Sequence, residues 1–341
     1  QPVETLVKLT EELAKRSKYP LLIAANLEKG GSGIAEEGTF FASPLEVAAT
    51  DDVVMANHLA EICATEGRAC GANWAFAPIV DIDGNFRNPI TNTRTFGSDA
   101  GRVAAMGKEY VTVVQRHGMA ASIKHFPGDG QDERDQHLVT SVNPMSCEEW
   151  DASYGMIYRE SIEAGALSCM VGHIMLPSYA KRINPALKDE EILPGSLSQE
   201  LMQGLLRERL GFNGLIVTDA TTMAGYTLAM SRKDAVPHSI AAGADMFLFT
   251  RNVDEDIAFM FEGVKNGVIT AERLDEAVTR ILALKAALGL HRRELPDLAE
   301  SKRTVIQNPV HTGWARECAD RAITLVKEQK GVLPLTADRY R

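Results

Sequence analysis

Apolar residues along this chain follow two spacings in turn. Short, nearly continuous apolar runs occur at Leu21–Ala25, Trp74–Val80, Ala120–His125, Leu167–Met175, Leu215–Thr218 and Asp245–Phe249. Runs of this kind are expected of parallel strands covered on both faces. Between them, apolar residues recur at helical spacing. Glu4–Ser17 carries Leu6, Val7, Leu9 and Leu13 at that spacing, and Leu45–Thr65, Ala100–His117, Cys147–Ala164 and Val236–Ala242 also read as helices. A further helix is predicted from Ser198, as N-cap, to Gly211, as stop, with Leu201, Leu205 and Leu206 on its inner face. Glu255–Lys265, Ala271–Leu288 and Trp314–Ala322 complete the helical set. This alternation predicts an α/β fold, a (β/α)8 TIM-type barrel, with a doubly wound sheet as the alternative. Only six strands are clear. One more hidden between Ala220 and Asp245, and one before Gln1, would make eight, so the barrel is expected to be incomplete at its first strand.

Polar residues gather where the apolar runs stop: Asn26, Asp81, Lys124 with His125, His173 and Asp219. In a barrel these strand C-termini share one rim, which is where such folds keep their chemistry. The densest stretch is Lys124–His137, Lys-His-Phe-Pro-Gly-Asp-Gly-Gln-Asp-Glu-Arg-Asp-Gln-His. Pro127, Gly128 and Gly130 end the strand and open a loop. That loop holds a mixture of imidazoles, cations and carboxylates for which a surface connection has little structural need.

Each candidate has an ordinary alternative. Asp219, closing Gly-Leu-Ile-Val-Thr-Asp, can act as nucleophile, base or metal ligand, or merely cap the next helix. Asp135 and His137, two apart, point the same way in an extended loop, so the carboxylate can fix the imidazole tautomer and leave the other nitrogen for proton transfer. Alternatively they belong to a solvated charged loop. Asp129, Asp132, Asp135 and His137 lack both the calcium-loop pattern and zinc-site spacing, so no metal is expected. Lys124 at a strand end could form a Schiff base. His125 follows it directly, and neighbours on a strand face opposite ways, so one of the two is expected to reach the site, and both only if the strand bends there. Arg94 can clamp a ligand oxygen or form a structural ion pair.

Composition narrows the classes. The net charge of −10, with no basic cluster, argues against nucleic acid and against an anionic membrane surface. No apolar run approaches the roughly 20 residues of a membrane span. Cys63, Cys70, Cys147, Cys169 and Cys318 are odd in number and scattered, which predicts reduced thiols and a cytoplasmic location. The chain begins at Gln1 rather than Met, so an upstream leader is compatible with it.

Taken together these motifs resemble glycoside hydrolase family 3, most closely its β-N-acetylglucosaminidase branch. K-H-F-P-G-x-G followed by D-x-H is matched by Lys124–Gly130 with Asp135 and His137. The G-F-x-G-x-[IV]-x-[ST]-D segment is matched by Gly211–Asp219. Ala77–Ile82, Arg94–Gly97 and Val171–His173 fit three further blocks, and the resemblance runs from about Pro20 to Leu335. It implies a retaining exo-β-N-acetylglucosaminidase without cofactor. Asp219 would be the nucleophile, His137 the acid/base and Asp135 its partner. Lys124, His125 and Arg94 would bind the sugar, with Asn26, Asp81, His173 and Met223 around it. A carbohydrate is the implied partner, and cell-wall recycling the implied setting. The alternatives are a phosphorylase on the same residues or a non-catalytic sugar-binding protein.

Some positions depart from the pattern. Asp129 stands where the cell-wall enzymes carry His, Asn26 where they carry Asp, and Ala220 replaces a frequent second Asp. The arginine expected after the Gly pair is absent from Ile34–Glu37. The choice of sugar and the leaving-group side therefore stay open. Residues 1–300 are expected to form the catalytic barrel domain, and 301–341 a helical extension resembling the linker toward a second α/β domain.

Overall fold

The computed structural model describes residues 1–292, 297, 300, 304–306 and 308–339. Eight strands are present among them: β1 (Ala24–Ala25), β2 (Trp74–Ala75), β3 (Ala120–Phe126), β4 (Ser141–Val142), β5 (Ser168–Val171), β6 (Ile174–Met175), β7 (Leu215–Ala220) and β8 (Met246–Leu248). Six form one parallel sheet in the order β1-β2-β3-β5-β7-β8, and β4 pairs with β6. The register runs Ala24 to Trp74, Trp74 to Ala120, Ser122 to Ser168, Ser168 to Leu215 and Val217 to Met246. A flat six-stranded sheet would hold its edges about 24 Å apart. Yet Asn26, just past β1, and Leu248, in β8, line one pocket of about 320 Å³. The sheet is therefore curled, an incomplete barrel with β1 and β8 at its open edges.

The six sheet strands are the six read from the apolar runs. The hidden seventh is not found: the described residues between Ala220 and Asp245 form helices at Ala224–Thr227 and Arg232–Ala242. Two other elements also differ. The long helix expected at Cys147–Ala164 breaks at Ser153, which caps neither half with its side chain but bonds back to the Glu149 carbonyl. The run Leu167–Met175 divides at Gly172 and His173, and its second part leaves the main sheet to pair with β4.

The helices form where local signals agree with burial. Asp99 accepts from the Arg102 N–H and starts Ala100–Arg116, which buries Val103, Met106, Tyr110, Val111 and Val114. Ser43 and Glu46 form a capping box for Pro44–Ala49. These helices and the outer face of the sheet make one large core containing Ile123, Phe126, Trp150 and Tyr158. Inside the curl, Trp74, Phe76, Met170, Leu215 and Val217 pack with Leu284 of the helix Ala271–Ala287. The helix Pro309–Ala322 lies against Val53–Ala69: Trp314 stacks on His58 at 4.0 Å, and His311 Nδ1 is 2.7 Å from Glu66. All five cysteines are buried and free. Among the described residues no helix is long and apolar enough to cross a membrane.

Candidate active site

The pocket opens at the C-terminal ends of the strands. Asn26, Arg94, Lys124, His125, His137, Asp219 and Met223 line it, together with Ile90, Gln136, Ala220, Thr222 and Phe249. Seven of the ten residues singled out in the sequence therefore share one cavity.

Asp219 ends β7. Its Oδ1 accepts the Ala220 N–H at 2.7 Å, and its Oδ2 lies 3.9 Å from His125 Nε2. Burial pushes this carboxyl up, but its surroundings, led by His125 and including the Ala220 amide and Lys124, outweigh it and hold it below the ordinary aspartate value. It is thus an anion at neutral pH on the pocket wall.

His125 is set by Asp81, which is wholly buried. One Asp81 oxygen accepts the His125 and Asp129 backbone N–H groups at 3.1 and 2.8 Å. The other lies 2.7 Å from His125 Nδ1. A carboxylate there requires hydrogen on Nδ1, which directs Nε2 toward Asp219. Asp81 acts behind the wall, through His125, and does not line the pocket. His173 is also behind it. Its Nε2 meets the Ala220 carbonyl at 3.0 Å and its Nδ1 the Ser196 hydroxyl at 2.7 Å. Burial lowers its pKa, so the ring is neutral, donating to Ala220 and accepting from Ser196. It fixes the residue after Asp219 instead of reaching a ligand.

Lys124 and His125 both line the pocket, the outcome expected only for a strand irregular at this point. The β3–β5 register shifts between Ile123 and Phe126, which breaks the alternation at this point.

Glu28 was not singled out in the sequence. Lys124 Nζ donates to its Oε1 at 2.7 Å, and Arg94 grips both oxygens, Nη2 at 3.0 Å and Nε at 3.1 Å. Burial raises the Glu28 carboxyl, but the two cations more than reverse this and hold it far below the usual range. Asn26 Oδ1 lies 3.4 Å from the same ammonium. The loop carrying Glu28 is seated by Gly31, where a Cβ would fall 1.9 Å from Glu66 Oε2. Glu66 is buried and takes the Thr39 N–H and hydroxyl at 2.7 and 2.6 Å. The one sequence signal for Glu28 was its place three residues after a strand end and two before a glycine pair.

His137 stands on the loop after β3, its side chain about half exposed. Its Nδ1 lies 2.6 Å from Asp135 Oδ1, which also accepts the His137 N–H at 2.8 Å. Asp135 stands behind the ring, outside the pocket lining. Nε2 is left for proton transfer. The other loop carboxylates diverge: Asp132 pairs with Arg134 at 2.7 Å, and Asp129 turns inward to Asn88 and Gln136. No group of three or more potential metal ligands occurs among the described residues. An ionised carboxylate, a buttressed imidazole and a floor of cations with polar amides suit a neutral polyhydroxylated ligand and proton-assisted substitution at one of its carbons.

Comparison with known proteins identifies the family. Residues 2–284 match the Glycosyl hydrolase family 3 N terminal domain. A Cellulomonas fimi protein named beta-N-acetylglucosaminidase/beta-glucosidase is 58% identical over 329 residues, covering 96% of this chain and 58% of its own length. The solved structure of a beta-glucoside phosphorylase, BglX, is 53% identical with a TM-score of 0.96, covering 99% of this chain and 61% of that one. A family 3 beta-N-acetylglucosaminidase from Paenibacillus sp. FPU-7 is 29% identical with a TM-score of 0.86, covering 94% and 61%. The chain thus spans about three fifths of the length of each of these relatives.

Proposed function

This chain belongs to the glycosyl hydrolase family 3 N-terminal domain family, and from that membership we propose that it cleaves terminal β-linked N-acetylglucosamine with retention of configuration. Asp219 attacks the anomeric carbon and forms a glycosyl ester. His137, as imidazolium, gives its Nε2 proton to the leaving oxygen. In the second step the neutral imidazole takes a proton from water, which displaces Asp219. Asp135 holds the tautomer and stabilises the imidazolium. Lys124, Arg94 and Asn26 hold hydroxyls at the far side of the sugar, kept in place by Glu28. His125 stands beside the nucleophile.

The observation that carries this reading is the pairing, on one pocket, of an ionised Asp219 with an imidazole whose Nδ1 is occupied by Asp135. The test is release of nitrophenol from the β-N-acetylglucosaminide and the β-glucoside by the wild type and Asp219→Ala. Turnover favouring the acetamido sugar and lost in the variant is expected. A folded wild type that turns over neither sugar overturns the reading and leaves sugar binding alone.

A second reading uses the same residues with phosphate as the acceptor. Its support is the 53% identity to a protein named beta-glucoside phosphorylase, against the 58% identity to one named beta-N-acetylglucosaminidase/beta-glucosidase. A neutral imidazole would also repel an incoming anion less than a carboxylate would. Faster turnover with added phosphate, yielding the sugar 1-phosphate, would select it over hydrolysis.

A further inference from the structure

Gln136 stands between the two members of the Asp135–His137 pair, and its side chain runs inward. It is almost wholly buried. Its Nε2 donates to Asp129 Oδ2 at 3.2 Å, and its Oε1 accepts the His173 N–H at 2.8 Å. One amide therefore ties the loop to the start of the segment after β3 and to the turn after β5. The backbone adds two ties on the side of Asp219: the Gln136 and His137 carbonyls accept from Gly225 and Ala224, each at 3.0 Å. The approach is close on both sides. A Cβ on Gly225 would lie 2.7 Å from the Gln136 carbonyl oxygen, and one on Gly172 3.1 Å from Gln136 Oε1.

Asp129 is built to receive this amide. Its Oδ1 accepts from Asn88 Nδ2 at 3.0 Å and from the Gly130 N–H at 2.7 Å, which leaves Oδ2 for Gln136. All three contacts need an acceptor, which suits the ionised form. Two titratable side chains act on it from neighbouring elements, Asp81 after β2 and His125 at the end of β3. The Tyr154 hydroxyl bonds its backbone carbonyl.

We infer that Gln136, seated on Asp129, is a positioning residue that holds the His137 imidazole over the leaving oxygen. The inference rests on the acid/base role proposed above for His137. Glutamine suits the place on chemical grounds. Asparagine would be too short to span Asp129 and the His173 amide, and glutamate would set a second carboxylate against Asp129.

The test is Gln136→Met, which keeps the length and removes both hydrogen bonds. Two substrates are compared: a dinitrophenyl β-glycoside, whose leaving group needs no proton, and an alkyl β-glycoside, whose leaving group does. The expected loss in kcat/KM is roughly 30- to 100-fold on the alkyl glycoside and less than about threefold on the dinitrophenyl one, since a misplaced acid harms only the proton-dependent substrate. In a His137→Ala background the substitution should add little further loss. Equal losses on both substrates, or additive losses in the double variant, would overturn the positioning role and leave Gln136 a packing residue. Gln136→Asn serves as a second variant if Gln136→Met does not fold.

A readout independent of turnover separates this inference from the reading beneath it. The NMR signals of the His137 ring, identified by their loss in His137→Ala, should shift and broaden in Gln136→Met. Unchanged signals would overturn the inference even in an inactive protein. A wild type inactive on both substrates, with His137 signals that do respond, would overturn the acid/base reading and keep the anchor.

Discussion

Replacing Glu28 by glutamine is the most informative single change in the floor of the pocket. The substitution keeps the shape and removes one negative charge from between Lys124 and Arg94. Lys124 Nζ lies 2.7 Å from Oε1, and Arg94 Nη2 3.0 Å from the same oxygen. At an effective dielectric near 20, one such contact at 2.7 Å is worth about 6 kcal/mol of attraction, which desolvation of the groups largely offsets. Removing one partner of a buried pair leaves the other charges uncompensated and costs about 3–5 kcal/mol. The amide also turns an NH2 toward one of the two cations. The expected outcome is about 3 kcal/mol of lost stability at pH 7, read by urea denaturation. A loss in kcat/KM on the order of 100-fold should accompany it, since the cations proposed to hold the sugar are displaced.

The pH dependence gives a second handle on the same substitution. Folding lowers the Glu28 pKa, so its contribution is full above the unfolded value near 4.5 and fades as pH falls toward the folded value. The gap between wild type and Glu28→Gln should therefore stay nearly full down to about pH 4.5 and narrow progressively as the pH falls further. A variant within about 0.5 kcal/mol of wild type at pH 7 would refute the reasoning, because a surface pair behaves that way and a buried one does not.

Further outcomes follow from neighbouring groups. Asp81→Asn presents an amide to three N–H donors and loses control of the His125 tautomer, so kcat/KM should fall about 100-fold or more, with Tm also lowered. Gly130 has φ 105° and would place a Cβ 1.9 Å from the Ile82 carbonyl oxygen, so Gly130→Ala should cost several kcal/mol, on the order of 3, in urea unfolding. Asp129 is pushed up to about 6 by burial and the Asp81 charge, so folding penalises its ionised form. Wild-type stability should then rise as pH falls through 6 toward the unfolded value, a slope that Asp129→Asn should lack in parallel thermal melts.

The rim was legible because two signals coincide there: an apolar run ends and a polar side chain follows. Asn26, Lys124, His125 and Asp219 could be placed on one cavity that way. What the pattern does not carry is depth. Asp81 and His173 occupy the same strand-end positions, yet they stand behind the wall and act on His125 and Ala220. Whether a strand-end side chain turns into the pocket depends on partners distant in the chain. Glu28 escaped notice for the same reason. Its role comes from Lys124 and Arg94, 96 and 66 residues away, and nothing local distinguishes it from a loop carboxylate. The joint presence of Lys124 and His125 in the pocket depends on a register shift against β5, which strand periodicity cannot foresee. The strand expected between Ala220 and Asp245 failed on similar grounds, since that stretch has no strong period and its helices are settled by packing. Bonds such as Arg232 to Asp256, at 2.8 Å, tie that stretch to the helix Val253–Lys265.

The central claim is that Asp219 forms a covalent bond to the sugar. The most direct measurement is mass spectrometry of the intact chain after incubation with a dinitrophenyl 2-deoxy-2-fluoro-β-glucoside, followed by mapping of the labelled peptide. One fluorosugar per chain, carried on Asp219 and absent from Asp219→Ala, is the predicted result. A label on another residue, or an active chain that never acquires one, would contradict it.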